Sequence, residues 1–238
     1  TVGDRSVAIG MQALYSQNPS SNVDSNNVAI GHSAGFSITT GTQNVCIGAG
    51  ALDASTTSAN NTAMGYACAS STTTGASNTA IGASALFANT TASNNTAVGF
   101  KALEANTTGH SNVAVGTYAL DANTTAQQCV AIGNNALSSN TTASRNTAVG
   151  NDAAQLTTEG TDNTAVGSAA LGTNTTGYHN VAIGRIALLS STTAADNVAV
   201  GYAALQLDTT GAQNTAVGKN ALQKVTTGSS NTANGYVA

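Results

Sequence analysis

Thirteen glycines, Gly31, Gly48, Gly65, Gly82, Gly99, Gly116, Gly133, Gly150, Gly167, Gly184, Gly201, Gly218 and Gly235, recur with a 17-residue period, without a slip from first to last. A fixed period of that size means that one small unit is stacked many times, so the chain folds as a repeat array. A further copy, Gly10, precedes Gly31 at a longer interval, and the extra residues fall in the stretch that holds the only proline, Pro19. Residues 1–238 therefore read as a single array of fourteen copies: a partial repeat 1–5, an irregular first unit 6–26, regular units 27–230 and a partial unit 231–238. Neither end coincides with a unit boundary. Stacked repeats need terminal units that cover their exposed ends, which predicts that the chain is a segment of a longer protein.

With the glycine as slot 0, the unit reads Asn at −4, Thr or Val at −3, Ala at −2, Val or Ile at −1, then Ala at +3, Leu at +4, Asn or Ser at +7, Thr-Thr at +8 and +9, and Gly or Ala at +10. Asn occupies −4 at Asn27, Asn44, Asn61, Asn78, Asn95, Asn112, Asn146, Asn163, Asn180, Asn197, Asn214 and Asn231, twelve of fourteen copies, so this slot answers a structural demand. Four residues such as Asn-Thr-Ala-Val alternate between the two faces of a strand. Val98, Val115 and Val149 are expected to fill an interior, with Ala97, Ala114 and Ala148 on the opposite face, where only a tight contact suits them. The invariant glycine marks a backbone corner that needs positive φ or close approach of another backbone, and Asn-Thr-Thr-Gly, as at Asn106 to Gly109, is the opposite turn.

The predicted fold is all-β: a parallel β-solenoid (β-roll) of about fourteen coils, each one 17-residue unit with two short strands, stacked at about 4.8 Å into a rod of roughly 60 Å. Each slot then forms a ladder, and the −4 asparagines can hydrogen-bond from coil to coil. One Val or Ile and one Leu per coil make a thin core, so association through the alanine face is expected, and threefold symmetry is the simplest cyclic way for one narrow face per chain to surround an axis.

Only 7% of residues are charged, with a formal net charge of −4, and Thr and Asn supply most of the polarity instead. That balance leaves no electrostatic footprint for nucleic acid, and no apolar run approaches the length of a membrane-spanning helix. No catalytic, cofactor or metal residues stand out. Carboxylates are scattered without pairing, no Gly-x-Ser-x-Gly elbow is present, and His32, His110 and His179 fall in different slots of distant coils. Cys46, Cys68 and Cys129 replace Ala or Asn and suit buried positions. Aromatic Tyr66, Phe100, Tyr202 and Tyr236 share slot +1, which nominates them as an adhesive surface if that slot is exposed. Asn89, Asn106, Asn123, Asn140 and Asn174 begin Asn-Thr-Thr sequons that would matter in a eukaryotic secretory pathway.

Ser6-Val7-Ala8-Ile9-Gly10 followed by Ala13, and Asn27-Val28-Ala29-Ile30-Gly31-His32-Ser33-Ala34, resemble the head repeats of trimeric autotransporter adhesins. The longer Asn-Thr-Ala-Val-Gly-x-x-Ala-Leu form with its downstream Thr-Thr-Gly is similar to repeats in fibre proteins of phages, large viruses and bacteria. The resemblance implies a left-handed parallel β-roll assembled as a homotrimer, in an extracellular or virion fibre that serves as a rigid shaft or head in adhesion and host attachment. Its implied partners are further copies of itself and a host surface protein or glycan. The repeat unit here is longer than those common in adhesin heads, which implies a larger outer turn. The alternative expectation is a monomeric ligand-binding solenoid that presents its threonine ladder to ice or glycan. An enzyme is not expected.

Overall fold

The structure, a computed structural model, describes residues 5–18 and 24–238; the insertion around Pro19 and the Thr1-Val2-Gly3 repeat fragment lie outside the described residues. The chain divides into two compact units, Thr1–Thr117 and Tyr118–Ala238. Among the described residues all regular structure is extended. Each unit contributes seven three-residue strands: the first from β1 (Val7–Ile9) and β2 (Val28–Ile30) to β7 (Val113–Val115), the second from β8 (Val130–Ile132) to β14 (Thr232–Asn234). Within each unit every strand lies parallel to the next in chain order, and equivalent slots face each other, as in Thr96–Val113, Ala97–Ala114 and Val98–Val115, or Thr147–Thr164, Ala148–Ala165 and Val149–Val166. The longer first interval keeps this register, with Val7 opposite Val28. One coil of the parallel β-solenoid therefore takes one repeat.

Two expectations are corrected. The strand faces are reversed: Ala97, Ala114 and Ala148 are fully buried, whereas the −1 residues face outward, with Ile30, Ile81, Ile132 and Ile183 each 37–40% exposed. The interior is shared with the buried Asn and Leu columns, and slot −2 holds only Ala or Cys, so it is the small residue that faces inward. Equally, each coil has one strand and not two. The Ala-Leu pair at +3 and +4 lies in a turn region where +2 and +4 are left-handed, as at Lys101 (φ 58°) and Leu103 (φ 53°), or Asn135 and Leu137 (both φ 53°). This breaks strand alternation, and adjacent Ala102 and Leu103 are both buried. The +4 N–H still donates to the next coil, as in Leu86 to Ala102 O at 2.9 Å and Leu171 to Ala187 O at 2.9 Å. Inward-facing alanine also removes the expected alanine association face.

The interior is completed by polar side chains, most of them held by hydrogen bonds. In slot −4, Asn95 Oδ1 accepts the Asn112 N–H at 3.0 Å, and Asn95 Nδ2 donates to Gly109 O at 2.9 Å. The pattern repeats in the second unit, where Asn163 Oδ1 accepts the Asn180 N–H at 3.0 Å and Asn163 Nδ2 donates to Gly177 O at 2.8 Å. One side chain thus satisfies a backbone donor in the next coil and a backbone acceptor at the point where its own coil closes. A second buried polar column runs through slot +7. Asn89, Asn106, Asn123, Asn140 and Asn174 are all fully buried, and each donates to the slot +10 carbonyl, as Asn106 does to Gly109 O at 2.9 Å. That burial closes the Asn-Thr-Thr sequons to a glycosylating enzyme in the folded chain.

Asp208 occupies the same column and is also fully buried. Its Oδ1 accepts the Gly211 N–H at 2.8 Å, and its Oδ2 has no hydrogen-bond partner. Burial pushes the carboxyl up to about 6, against smaller opposing effects of the Gly211 N–H and the Asn214 amide. The folded state therefore binds this proton more tightly than the unfolded chain does. No penalty exists below about pH 4; it grows as pH rises toward 6, then levels off at about 2 to 3 kcal/mol. Asp208→Asn, which restores the common residue of the column, is expected to stabilise the second unit by that amount at pH 7 and to have little effect at pH 4. Urea unfolding of both proteins from pH 4 to 8 checks this: a stability difference that does not vary with pH would exclude a buried ionising carboxyl.

Candidate assembly and attachment surfaces

The most continuous feature on the outside of each unit is the outer face of its strands. Slots −3 and −1 alternate with the buried alanines and so project together. In the first unit they place Val28, Val45, Thr62, Thr79, Thr96 and Val113 beside Ile30, Ile47, Met64, Ile81, Val98 and Val115. In the second, Val130, Thr147, Thr164, Val181 and Val198 stand beside Ile132, Val149, Val166, Ile183 and Val200. Neither column of either unit contains a charged residue. A face of β-branched and apolar side chains, flat along the ladder and without charge, is the type of surface that self-association covers.

The slot +1 aromatics lie around the corner glycine from this face. Tyr66 is 68% exposed and Tyr236 72%, with Phe100 and Tyr202 less so. Within each unit their surroundings differ. Phe100 has the Lys101 ammonium 5.7 Å from its ring centre. Tyr202 and Tyr236 belong to a column of alternating cations and rings: the Arg185 guanidinium and the Lys219 ammonium each lie 5.8 Å from the Tyr202 ring, and Lys219 lies 5.7 Å from Tyr236. Such exposed contacts contribute about 0.5 to 1 kcal/mol each. At slot +5, Tyr15 and Phe36 stack with ring centres 5.3 Å apart.

Tyr66 has different surroundings. With Phe87, His32, Asp53, Ala49 and Gly50 it lines a surface hollow of about 380 Å³. The spacing of the aromatics does not show this hollow, because it depends on which neighbours are small. The signal for it in the sequence is Ala49-Gly50, two minimal residues in slots +1 and +2 between the coils of His32 and Tyr66.

The threonine ladder divides into two unequal columns. The +8 hydroxyls are turned toward the backbone and donate to the +8 carbonyl of the next coil, as in Thr73 to Thr90 O at 3.1 Å and Thr175 to Thr192 O at 3.0 Å. The +9 threonines, such as Thr74, Thr91, Thr108 and Thr176, are exposed, whereas most +8 threonines are only half-exposed, Thr141 and Thr226 being the exceptions. The paired outward array that ice binding by this ladder would need is thus reduced to a single fully exposed file in most coils.

Charges meet at the surface of the second unit's slot +12. Arg145 grips Asp162 through two nitrogens at 2.6 and 2.8 Å, holding that carboxyl below its ordinary range. His179 Nδ1 lies 3.2 Å from Asp196 Oδ1, and its other ring nitrogen is 4.0 Å from Asp162. No group of three or more His, Cys, Asp or Glu side chains suited to a metal ion occurs among the described residues. Cys46, Cys68 and Cys129 are buried free thiols; burial pushes Cys46 and Cys68 up to about 12, so both are unreactive as thiolates. No protein-family model matches this chain, and no curated protein sequence matches it.

Proposed function

We propose that this chain is a self-associating segment of an extracellular or virion fibre, with copies joined through the outer faces of their strands. The observation that carries the reading is the uncharged column pair at −3 and −1, repeated in coil after coil, with Ile30, Met64, Ile81, Ile132 and Ile183 each more than one-third exposed. Isoleucine on the outside of a coil buries little in a lone chain, whereas a set of chains packed on those isoleucines removes them from water. The likeness of the repeats to adhesin heads supports three copies around an axis. The role is mechanical, a stiff shaft or head whose length is set by the number of coils, and it carries attachment groups at its corners.

Light scattering at micromolar concentration is expected to give a native mass near three times 23.2 kDa. Ile81→Lys combined with Ile183→Lys is expected to reduce this to one chain with an unchanged far-ultraviolet dichroism spectrum, since both side chains lie outside the coil. A wild-type chain that is monomeric and stable would overturn the assembly and favour a solenoid that acts alone.

A further inference from the structure

We propose that the hollow beside Tyr66 in the first unit binds a short neutral glycan, with one pyranose ring over the floor of Ala49 and Gly50 and between Tyr66, Phe87, His32 and Asp53. A pyranose presents an apolar C–H face and a rim of hydroxyls. It is held where an aromatic face and convergent polar groups occur together, the usual composition of a small-molecule site. Here the Tyr66 ring is 68% exposed and lines the same hollow as Phe87. Asp53 supplies carboxylate acceptors for paired hydroxyls, and His32 offers a ring nitrogen. The volume, about 380 Å³, falls within the roughly 300 to 1,000 Å³ of ligand pockets.

The glycine that opens the floor is not required by the fold. Gly50 has φ +65°, but Ser33, Ser84, Lys101 and Asn135 occupy the same slot with φ between 53° and 58°. A Cβ at Gly50 would meet only Asp53 Oδ2 at 3.8 Å and the Ala67 Cα at 4.0 Å, which are ordinary contacts. The absence of a side chain there therefore serves the space above it. No Lys or Arg lines the hollow, and Asp53 would repel a sugar carboxylate or a phosphate, so the ligand class is neutral. Burial moves the Asp53 carboxyl upward, while its own N–H and that of Ala54 oppose the shift, consistent with a partly enclosed acceptor.

The site goes beyond the fibre reading and does not depend on it, because every lining residue belongs to one chain. The test titrates the full chain with lactose, maltose, cellobiose and 3′-sialyllactose by saturation-transfer NMR and calorimetry, with native mass measured on the same samples. At least one neutral disaccharide is expected to bind. Tyr66→Ala and Gly50→Lys are each expected to weaken it at least tenfold, and Asp53→Asn about fivefold, with the dichroism spectrum unchanged. Lysine is already accommodated in this slot at Lys101. Failure of all three neutral sugars to bind, tighter binding of the sialylated sugar than of lactose, or binding that survives Gly50→Lys would each overturn the proposal. Loss of sugar binding with the oligomer intact would leave the fibre reading standing, and a monomer that still binds sugar would do the reverse.

Discussion

Gly99→Ala is expected to be among the most damaging single-methyl changes in the first unit, alongside the same change at the other corner glycines, costing about 2 to 6 kcal/mol from backbone strain and overpacking together. Gly99 has φ +137°, outside the left-handed region that other residues of the coil occupy. An added Cβ would lie 2.6 Å from the carbonyl carbon of Gly116 and closer still to its oxygen, and backbone cannot rotate away as a side chain can. The hydrogen bond from the Gly116 N–H to Val98 O, 2.8 Å long, fixes that neighbour in place. Gly50→Ala is the control: its slot already accepts alanine at Ala67, and the cost is expected to be about 1 kcal/mol. Because a repeat array opens coil by coil, native-state hydrogen exchange is the suitable measurement. Protection should fall in the coils around Gly99 and persist around Gly50. Equal losses in the two variants would mean that the corner geometry is dispensable.

The second large effect is expected at the −4 column. Asn180 Oδ1 accepts the Asn197 N–H at 3.1 Å, and its Nδ2 donates to Ala194 O at 2.8 Å. Asn180→Ala leaves both backbone groups short of a partner in a buried place, at about 1 to 3 kcal/mol each. The chain contains its own partial substitutions. Ser6 in this slot still accepts the Asn27 N–H at 3.2 Å, and Cys129 still directs its thiol to Ala143 O at 3.3 Å. A hydroxyl in this slot thus keeps the connection to the next coil, so Asn180→Ser should fall between wild type and Asn180→Ala in urea midpoint. The exposed Thr176→Ala should change stability by no more than about 0.5 kcal/mol. If Asn180→Ala and Thr176→Ala unfold together, the column is decorative.

Periodicity alone carries the reading of a parallel solenoid with one coil per repeat, because the glycine spacing leaves no other register. Which way the strand faces is not legible. Alternation of Thr-Ala-Val assigns opposite sides but not which side is inside, and the ordinary preference for burying valine over alanine points the wrong way. What decides is what else shares the interior, with Asn95 reaching Gly109 and Leu103 entering from a left-handed turn. The left-handed leucines give no warning in the sequence, since leucine is a poor candidate for positive φ; the neighbouring coil's carbonyl, which accepts the +4 N–H, holds them there. The +7 column is visible as Asn or Ser before Thr-Thr and reads as a turn, which it is, but one turned inward. Of the candidate attachment surface, the aromatic slot can be read from spacing, whereas the hollow beside Tyr66 depends on the absence of a side chain at Gly50.

An interior built from asparagine, alanine and one leucine changes how such a chain responds to temperature. Exposing apolar surface raises the heat capacity on unfolding and exposing amide surface lowers it, and ordinary domains show a net increase of about 12 to 15 cal/mol/K per residue. Here the buried columns at −4 and +7 are largely amide, and the largest apolar side chain in most coils is a single leucine. The heat-capacity increment per residue is correspondingly small, so stability varies gently with temperature in place of forming a steep dome. A coil of this kind loses little when cooled, the regime in which a core held mainly by hydrophobic burial weakens.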